Sequence, residues 1–343
     1  MLLVVNAGSS SVKLAVFDAG LRQVAQARAD RIGMGGAETH LAALHTGLAT
    51  MGISLTALTG AAHRVVHGGA GLTVPTRITP DVVTQIEACV PLAPLHTKAN
   101  LTGIHTLTRM APDLPQYASF DTGFHRSNPE VAIRYALPVA VEALGLRRYG
   151  FHGLSYAGLV QTLRGKGALP DRLLALHLGN GASLCAILGG QSVATTMGYS
   201  PLSGIPMGTR TGDIDGNLVL RLAETFGLAE AGRLLNSASG LMGLGGVSDM
   251  RALHAAGTDE ARFAMAHFVY WVIRHAGSMI AAMGGLDAVA FTGGIGENDE
   301  DIRGRIMAGL AWAGAVPVWV VHAEEERQIA AEAFALIAGA EQA

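Results

Sequence analysis

Four charged or titratable side chains sit in glycine-bounded turns and at strand ends, where their chemistry is available: Arg64, Asp121, His152 and Arg210. A guanidinium in such a loop grips carboxylate or phosphate through both prongs of its fork. Asp121 closes the strand Tyr117–Phe120, and Glu325 follows the strand Pro317–Val321. A polar residue just past the C-terminal end of a strand is where open α/β sheets place their sites. His152 lies between Gly150 and Gly153, close to Arg147 and Arg148, and is the histidine best placed to stabilise developing charge. Carboxylates at strand ends, as Asp121 and Glu325 are, suit phosphoryl transfer, which needs Mg2+ and groups to position it and the nucleophile. Plainer readings compete. Glu324–Glu326 also reads as an acidic helix start. His63 and His67 have i, i+4 spacing, but the glycines after them argue against a helix, so a structural reading wins over a metal pair. His96, His125 and His177 stand at strand–turn junctions and, taken singly, read as structural. Ser155 lies in GLSY, with no G-x-S-x-G elbow to support a serine hydrolase.

The elements that must position these groups begin with Leu2–Asp18, which reads as strand, Gly/Ser turn (Asn6–Ser11), strand. Leu173–Leu188 echoes it at a shift of 171 residues: Asn6 falls over His177, Gly8 over Gly179 and Val16 over Ile187. Glycine turns at Gly8, Gly179 and Gly293–Gly296 can present backbone N–H groups to phosphate oxygens. One such turn is commonplace, whereas two in a repeated unit predict a duplicated fold closing on a phosphate-bearing ligand. The chain has no GxxxxGK[ST] and no GxGxxG opening a βαβ unit, which excludes a P-loop and disfavours a Rossmann site.

Composition agrees. The 343 residues predict two domains, and 50% hydrophobic with 15% charged residues provides large cores. The 45 glycines suit an α/β protein with many turns. A net charge of −3 gives no electrostatic case for nucleic acid or an anionic membrane. Cys89 and Cys185 read as buried thiols of a reducing compartment. The N-terminus runs directly into strand pattern, unlike a signal peptide, and no run of ~18 apolar residues could span a bilayer. A cytoplasmic α/β enzyme is expected.

Along the chain, helices are expected at Glu38–Thr50, Asp81–Val90, Thr97–Met110, Ser155–Gly165, Asp299–Ala313 and Glu324–Ile337, with a rigid turn at Pro91–His96. Phe263–Met283 reads as a buried or subunit-interface helix, because His267, Arg274, His275 and Gly277 interrupt its apolar run. The loop Thr195–Asp215, rich in glycine and proline between Gly198 and Gly212, is too long and polar for mere connection.

Taken together, NAGSSSVK, HRVVHGG, PLAPLH, FDTGFH, RRYGFHG, HLGNGAS, MGYSPLSGIPMGTRTG and FTGGIGEN resemble the acetate kinase family, in the family's order and over nearly the whole chain. The resemblance implies an ATP:carboxylate phosphotransferase with the duplicated actin-like/hexokinase-like ATPase fold. That fold comprises two ribonuclease H-like domains and an interdomain active-site cleft. Residues 1–121 with roughly 323–343 would form the N-terminal domain, and 122–322 the nucleotide-binding C-terminal one. The implied reaction is ATP + acetate ⇌ acetyl phosphate + ADP by direct in-line transfer, Mg2+-dependent with Mn2+ as a substitute, in a homodimer. By the same resemblance Asp121, His152 and Arg210 are catalytic. Arg64 binds the carboxylate, and Val66, Leu95, Phe151 and Pro201 form its apolar pocket. Asn6 and Glu325 hold the metal. ATP is bound by Lys13, by His177, Leu178, Gly179, Asn180 and Gly181, by Asp249, Met250 and Arg251, and by Gly294, Ile295, Gly296, Glu297 and Asn298. The alternatives are a propionate or butyrate kinase, a sugar kinase-like enzyme, or a non-catalytic nucleotide-binding protein of the superfamily. The chain is several dozen residues shorter than typical members and departs from their motifs at Gly123, Ser203 and Gly216, among other positions.

Overall fold

The structure, a computed structural model, describes all residues except 9–10, 31, 33–35, 38 and 342–343, and all side chains of those except 95, 142, 143 and 341. Ser9 and Ser10 of the first turn, Glu38 and the side chain of Leu95 therefore lie outside the described residues. The chain divides into two compact units. Met1–Arg126, Gly153–Gly158 and Glu324–Ala343 form the first, and Ser127–His152 with Leu159–Ala323 the second.

The first unit is built on a sheet of β1 (Leu2–Ala7), β2 (Ser11–Phe17), β3 (Gln23–Asp30), β4 (Gly60–Val65), β5 (Thr76–Arg77) and β6 (Gln116–Phe120). Their spatial order is β3-β2-β1-β4-β6-β5. β1 is central and buried at every residue. Leu3 and Val5 pack with Leu44 and Leu107, from the helices His40–Met51 and Pro94–Met110. Leu2 and Val4 pack on the other face with Ile329, Ala330 and Ala333 of the helix Glu325–Glu341. A strand covered on both faces needs apolar residues at every position, which is why it reads LLVV without alternation.

The second unit carries β7 (Arg172–Leu178), β8 (Ala182–Leu188), β9 (Gln191–Thr195), β10 (Ala288–Thr292) and β11 (Val318–Val320), in the order β9-β8-β7-β10-β11. In each sheet the first three strands are antiparallel neighbours, and two more, β4 and β6 in one and β10 and β11 in the other, add in parallel on the other side of the first strand, with β5 a further antiparallel edge of the first sheet. The two units therefore share one five-strand topology, and the fold is the duplicated actin-like one. The echo is not quite a rigid shift. Leu2 faces Phe17, whereas Leu173, its counterpart, faces Ile187. The second turn is thus one residue shorter, and Val16 corresponds to Ala186, not to Ile187.

Three local expectations change. Pro94 starts a helix instead of ending a rigid turn, so His96 lies in its first turn. Proline is favoured there because its fixed φ suits the helix and its missing N–H is not needed. Gly293–Asn298 is a short helix following β10, not an open glycine turn. β3, an edge strand of sequence QVAQARAD whose one large apolar side chain, Val24, is exposed, lacks the apolar signal that reveals a strand in sequence.

Candidate active site

In the first unit, β4 ends beside β6, and this parallel pairing sets Arg64 opposite Ser119, two residues before Asp121. Asp121 is only 2% exposed. Arg64 grips it bidentately, Nε donating to Oδ1 at 2.9 Å and Nη2 to Oδ2 at 2.6 Å. The remaining prong, Nη1, donates to Asn6 Oδ1 at 3.3 Å, and Nε lies 3.9 Å from Glu325 Oε2. Burial pushes the Asp121 carboxyl up from the usual carboxylate range, Arg64 pulls it back down, and Glu325 adds a further upward push. Burial disfavours the Arg64 charge, but Asp121, Glu325 and Glu326 outweigh it and hold the guanidinium protonated. The backbone of Asp121 is fixed as well. Its carbonyl accepts from Gly153 N–H at 2.8 Å, and a Cβ on Gly153 would stand 2.2 Å from that oxygen. No other residue fits at Gly153 without moving the strand end. Val66 is buried, its N–H donating to Asn100 Oδ1 at 3.0 Å.

The same unit brings in a residue that sequence reasoning missed. Glu326 Oε1 accepts from Asn6 Nδ2 at 3.1 Å and lies 3.9 Å from Lys13 Nζ. Lys13 is placed there by β2, where it pairs with Asn6 across the hairpin. Asn6, Glu325 and Glu326 form a patch of hard oxygen donors, the ligand type Mg2+ selects. His63 and His67, read as structural, are buried, and burial lowers each to about pH 4, so both are neutral at neutral pH. His63 Nε2 bonds Gln116 Oε1 at 2.7 Å.

In the second unit, His152 has φ +59, a left-handed conformation that a non-glycine residue adopts at a cost of about 1–3 kcal/mol. Its Nδ1 meets Ser183 Oγ at 2.9 Å, and its ring stacks on His177 at 4.2 Å between centroids. A Cβ added to Gly181 would come within 3.2 Å of His152 Nε2 and 3.7 Å of Arg210 Nη1. The bare backbone at Gly181 thus leaves the space where these two side chains converge. Arg210 Nη1 donates to the Pro201 carbonyl at 2.9 Å. Burial lowers its pKa, and among the described residues no acidic side chain pairs with it. A half-buried guanidinium, partly desolvated and without a counter-anion, is primed to receive one. Phe151 is buried and Pro201 partly so.

A cavity of about 910 Å3 opens in the second unit. Of the expected nucleotide contacts, Gly179, Asn180, Asp249, Met250, Arg251, Gly294, Ile295 and Asn298 line it. His177, Leu178, Gly181, Gly296 and Glu297 are not among its lining residues. Glu297 is turned to structural work: its carboxylate accepts from the N–H groups of Gly293 and Ala323 and bonds His322, and these contacts lower its pKa against the upward push of burial. Gly293 must be glycine, since φ is +78 and a Cβ would lie 2.8 Å from the Leu178 carbonyl.

A sequence profile of the acetokinase family matches residues 34–319. The acetate kinase of Rhodopseudomonas palustris is 41% identical over 92% of this chain and 87% of its own length. That of Deinococcus radiodurans is 41% identical over 94% and 87%. The chain belongs to the acetokinase family. Among solved structures, an acetate kinase from Porphyromonas gingivalis superposes with a TM-score of 0.90 at 32% identity, covering 98% of this chain and 99% of that one. A propionate kinase from Francisella tularensis gives 0.90 at 32% identity, covering 96% and 98%. A ROK family protein from Streptococcus pneumoniae, 11% identical with a TM-score of 0.50, shares the fold alone.

For an acetokinase, a family of ATP-dependent phosphotransferases, the cavity has an acidic rim that the motifs did not announce. Ser248, His254, Asp299, Glu300 and Asp301 also line it. His254 Nε2 lies 2.9 Å from Asp299 Oδ2, and one ligand atom each from His254, Asp299 and Asp301 fall within 4.8 Å of one another. The legible signal was Asp299-Glu300-Asp301 at a helix start, which by itself reads as helix capping.

Proposed function

We propose that the chain catalyses ATP + acetate ⇌ acetyl phosphate + ADP by direct in-line transfer. The observation that carries this reading is the half-buried Arg210 guanidinium, unmatched by any described carboxylate and converging with His152 on the bare backbone of Gly181. Charge that develops on a transferring phosphoryl group is stabilised by fixed donors that need no reorganisation. In this reading Arg210 and His152 hold the equatorial oxygens, and the His177 ring keeps His152 in place by stacking. The cavity lined by Asp249, Met250, Arg251, Gly294, Ile295 and Asn298 takes the nucleotide, and the family resemblance assigns Lys13 to its phosphates. Arg64 offers Nη1 to the acceptor carboxylate while its other two donors retain Asp121. The family resemblance assigns the methyl group to Val66, Phe151 and Pro201, and to Leu95, whose side chain lies outside the described residues.

Asn6 and Glu325 would hold Mg2+, or Mn2+ in its place, and the ion would neutralise phosphate charge. Propionate is the second reading, since the Francisella tularensis propionate kinase superposes as well as the Porphyromonas gingivalis acetate kinase, with a TM-score of 0.90 in each case. One methylene is worth only ~1–3 kcal/mol of discrimination, so the choice rests on pocket volume. The homodimer is supported by the helix Asp259–Met283, whose Phe263 and Tyr270 are 59% and 61% exposed, with Trp312 at 64%. Exposed aromatic faces of this kind mark interfaces. No described helix is long and apolar enough to cross a membrane, which accords with a cytoplasmic enzyme.

Hydroxylamine trapping of acyl phosphate tests the reading. With Mg-ATP, hydroxamate should form with acetate or propionate and not with glycerol. ATP binding without hydroxamate from any acid would leave the fold and overturn the function.

A further inference from the structure

Asn6 is a neutral side chain bonded to the charged Arg64 and Glu326, and a carboxamide can face either way round. Its neighbours remove the choice. A guanidinium only donates hydrogen bonds and an ionised carboxylate only accepts them. Arg64 Nη1, 3.3 Å away, therefore requires the amide oxygen, and Glu326 Oε1, 3.1 Å away, requires the amide nitrogen. Arg64 is itself locked by its bidentate grip on Asp121. Glu326 is held from behind by Lys13 at 3.9 Å and by its place in the first turn of the helix Glu325–Glu341.

We propose that Glu326 is a positioning residue which, through its bond to Asn6 Nδ2, holds the Asn6 amide with its oxygen facing Arg64 and the metal. The inference rests on the reading of Asn6 as a metal ligand. Glu325 and Glu326, adjacent in sequence, then have different tasks: Glu325 offers its carboxylate to the ion, and Glu326 orients the other ligand. Partners behind a metal ligand commonly change metal affinity or activity by 10–100-fold when removed. Without Glu326 the Asn6 amide loses the acceptor for its nitrogen. The orientation that turns nitrogen toward the metal, and loses the ligand, then becomes accessible.

Glu326→Ala should weaken Mn2+ binding in the presence of ADP by roughly 10-fold, read directly by electron paramagnetic resonance, and lower kcat with less effect on the KM for acetate. Glu326→Gln, which keeps an oxygen that can accept from Asn6, should recover most of the Mn2+ affinity. In an Asn6→Ala background, Glu326→Ala should cost nothing further, because the residue through which it acts is gone. Thermal unfolding of each variant confirms that the comparison is between folded proteins. Unchanged Mn2+ affinity in Glu326→Ala would overturn the proposal. A full loss that persists in the Asn6→Ala background would also overturn it, by making Glu326 a ligand in its own right. The Mn2+ titration uses no carboxylic acid. A wild type that binds Mn2+ but yields no hydroxamate would sink the acetate kinase reading and leave the orienting role to be decided by the same variants.

Discussion

Replacing Arg64 by alanine should damage folding as well as catalysis, because it strands Asp121. The carboxyl is 2% exposed, and both of its oxygens are bonded to Arg64. Removing one partner of a buried ion pair costs about 3–5 kcal/mol when the other keeps its charge. At ~2–4 °C per kcal/mol for a unit of this size, the melting temperature should fall by about 10 °C at pH 8. The pH dependence follows from the sign of the shift. Burial already raises Asp121, and without Arg64 its folded pKa rises further above the unfolded value. The folded state then holds a proton where the unfolded state does not, so the stability of the variant falls as pH rises. The deficit relative to wild type should therefore be smaller at pH 5 than at pH 8. Asp121→Asn in the Arg64→Ala background should return several degrees, since it removes the stranded charge, but no activity. Thermal unfolding of wild type, both single variants and the double variant at the two pH values supplies the measurement. Equal melting temperatures for wild type and Arg64→Ala at pH 8 would refute the buried ion pair and the reasoning built on it.

Arg210→Ala should lower kcat by roughly 10²–10³ while stability holds or rises slightly, because among the described residues the lost cation has no acidic partner to strand; an unchanged kcat removes it from the chemistry. His63, lowered by burial to about 4 against 6.5 unfolded, makes the unfolded state the better proton acceptor between those values. Stability from this group should thus drop by about 2 kcal/mol on going from pH 7 to pH 5, and His63→Asn should flatten that part of the profile, seen in chemical denaturation at the two pH values. Gly181→Val should lower kcat by at least ~10-fold with little change in melting temperature, since even the Cβ would sit 3.2 Å from His152 Nε2; full activity would show that nothing needs the space between His152 and Arg210.

Much of the site was legible because its chemistry is announced locally. Arg64, Asp121, His152 and Arg210 are flanked by glycines and strand ends, and the hairpins of β1–β2 and β7–β8 repeat a recognisable strand–turn–strand pattern. Glu297 shows the limit of that signal. It lies inside a motif, yet its carboxylate caps backbone groups at Gly293 and Ala323, and only the positions of those N–H groups reveal it. β3 stayed hidden for the opposite reason: an edge strand with one wet face carries little apolar pattern.

By itself the sequence determined the duplicated α/β plan, the apolar strands that must be buried on both faces, and the residue types gathered at their ends. Periodicity and glycine placement encode such features over a few residues. The tertiary structure alone decided that Gly153–Gly158 packs with the first unit, that Arg64 spends two donors on Asp121, and that Glu326 reaches Asn6 across 320 positions. The Glu326–Asn6 contact depends on where the last helix returns against β1, and the Arg64–Asp121 grip on the parallel pairing of β4 with β6, long-range packing results that no local pattern contains.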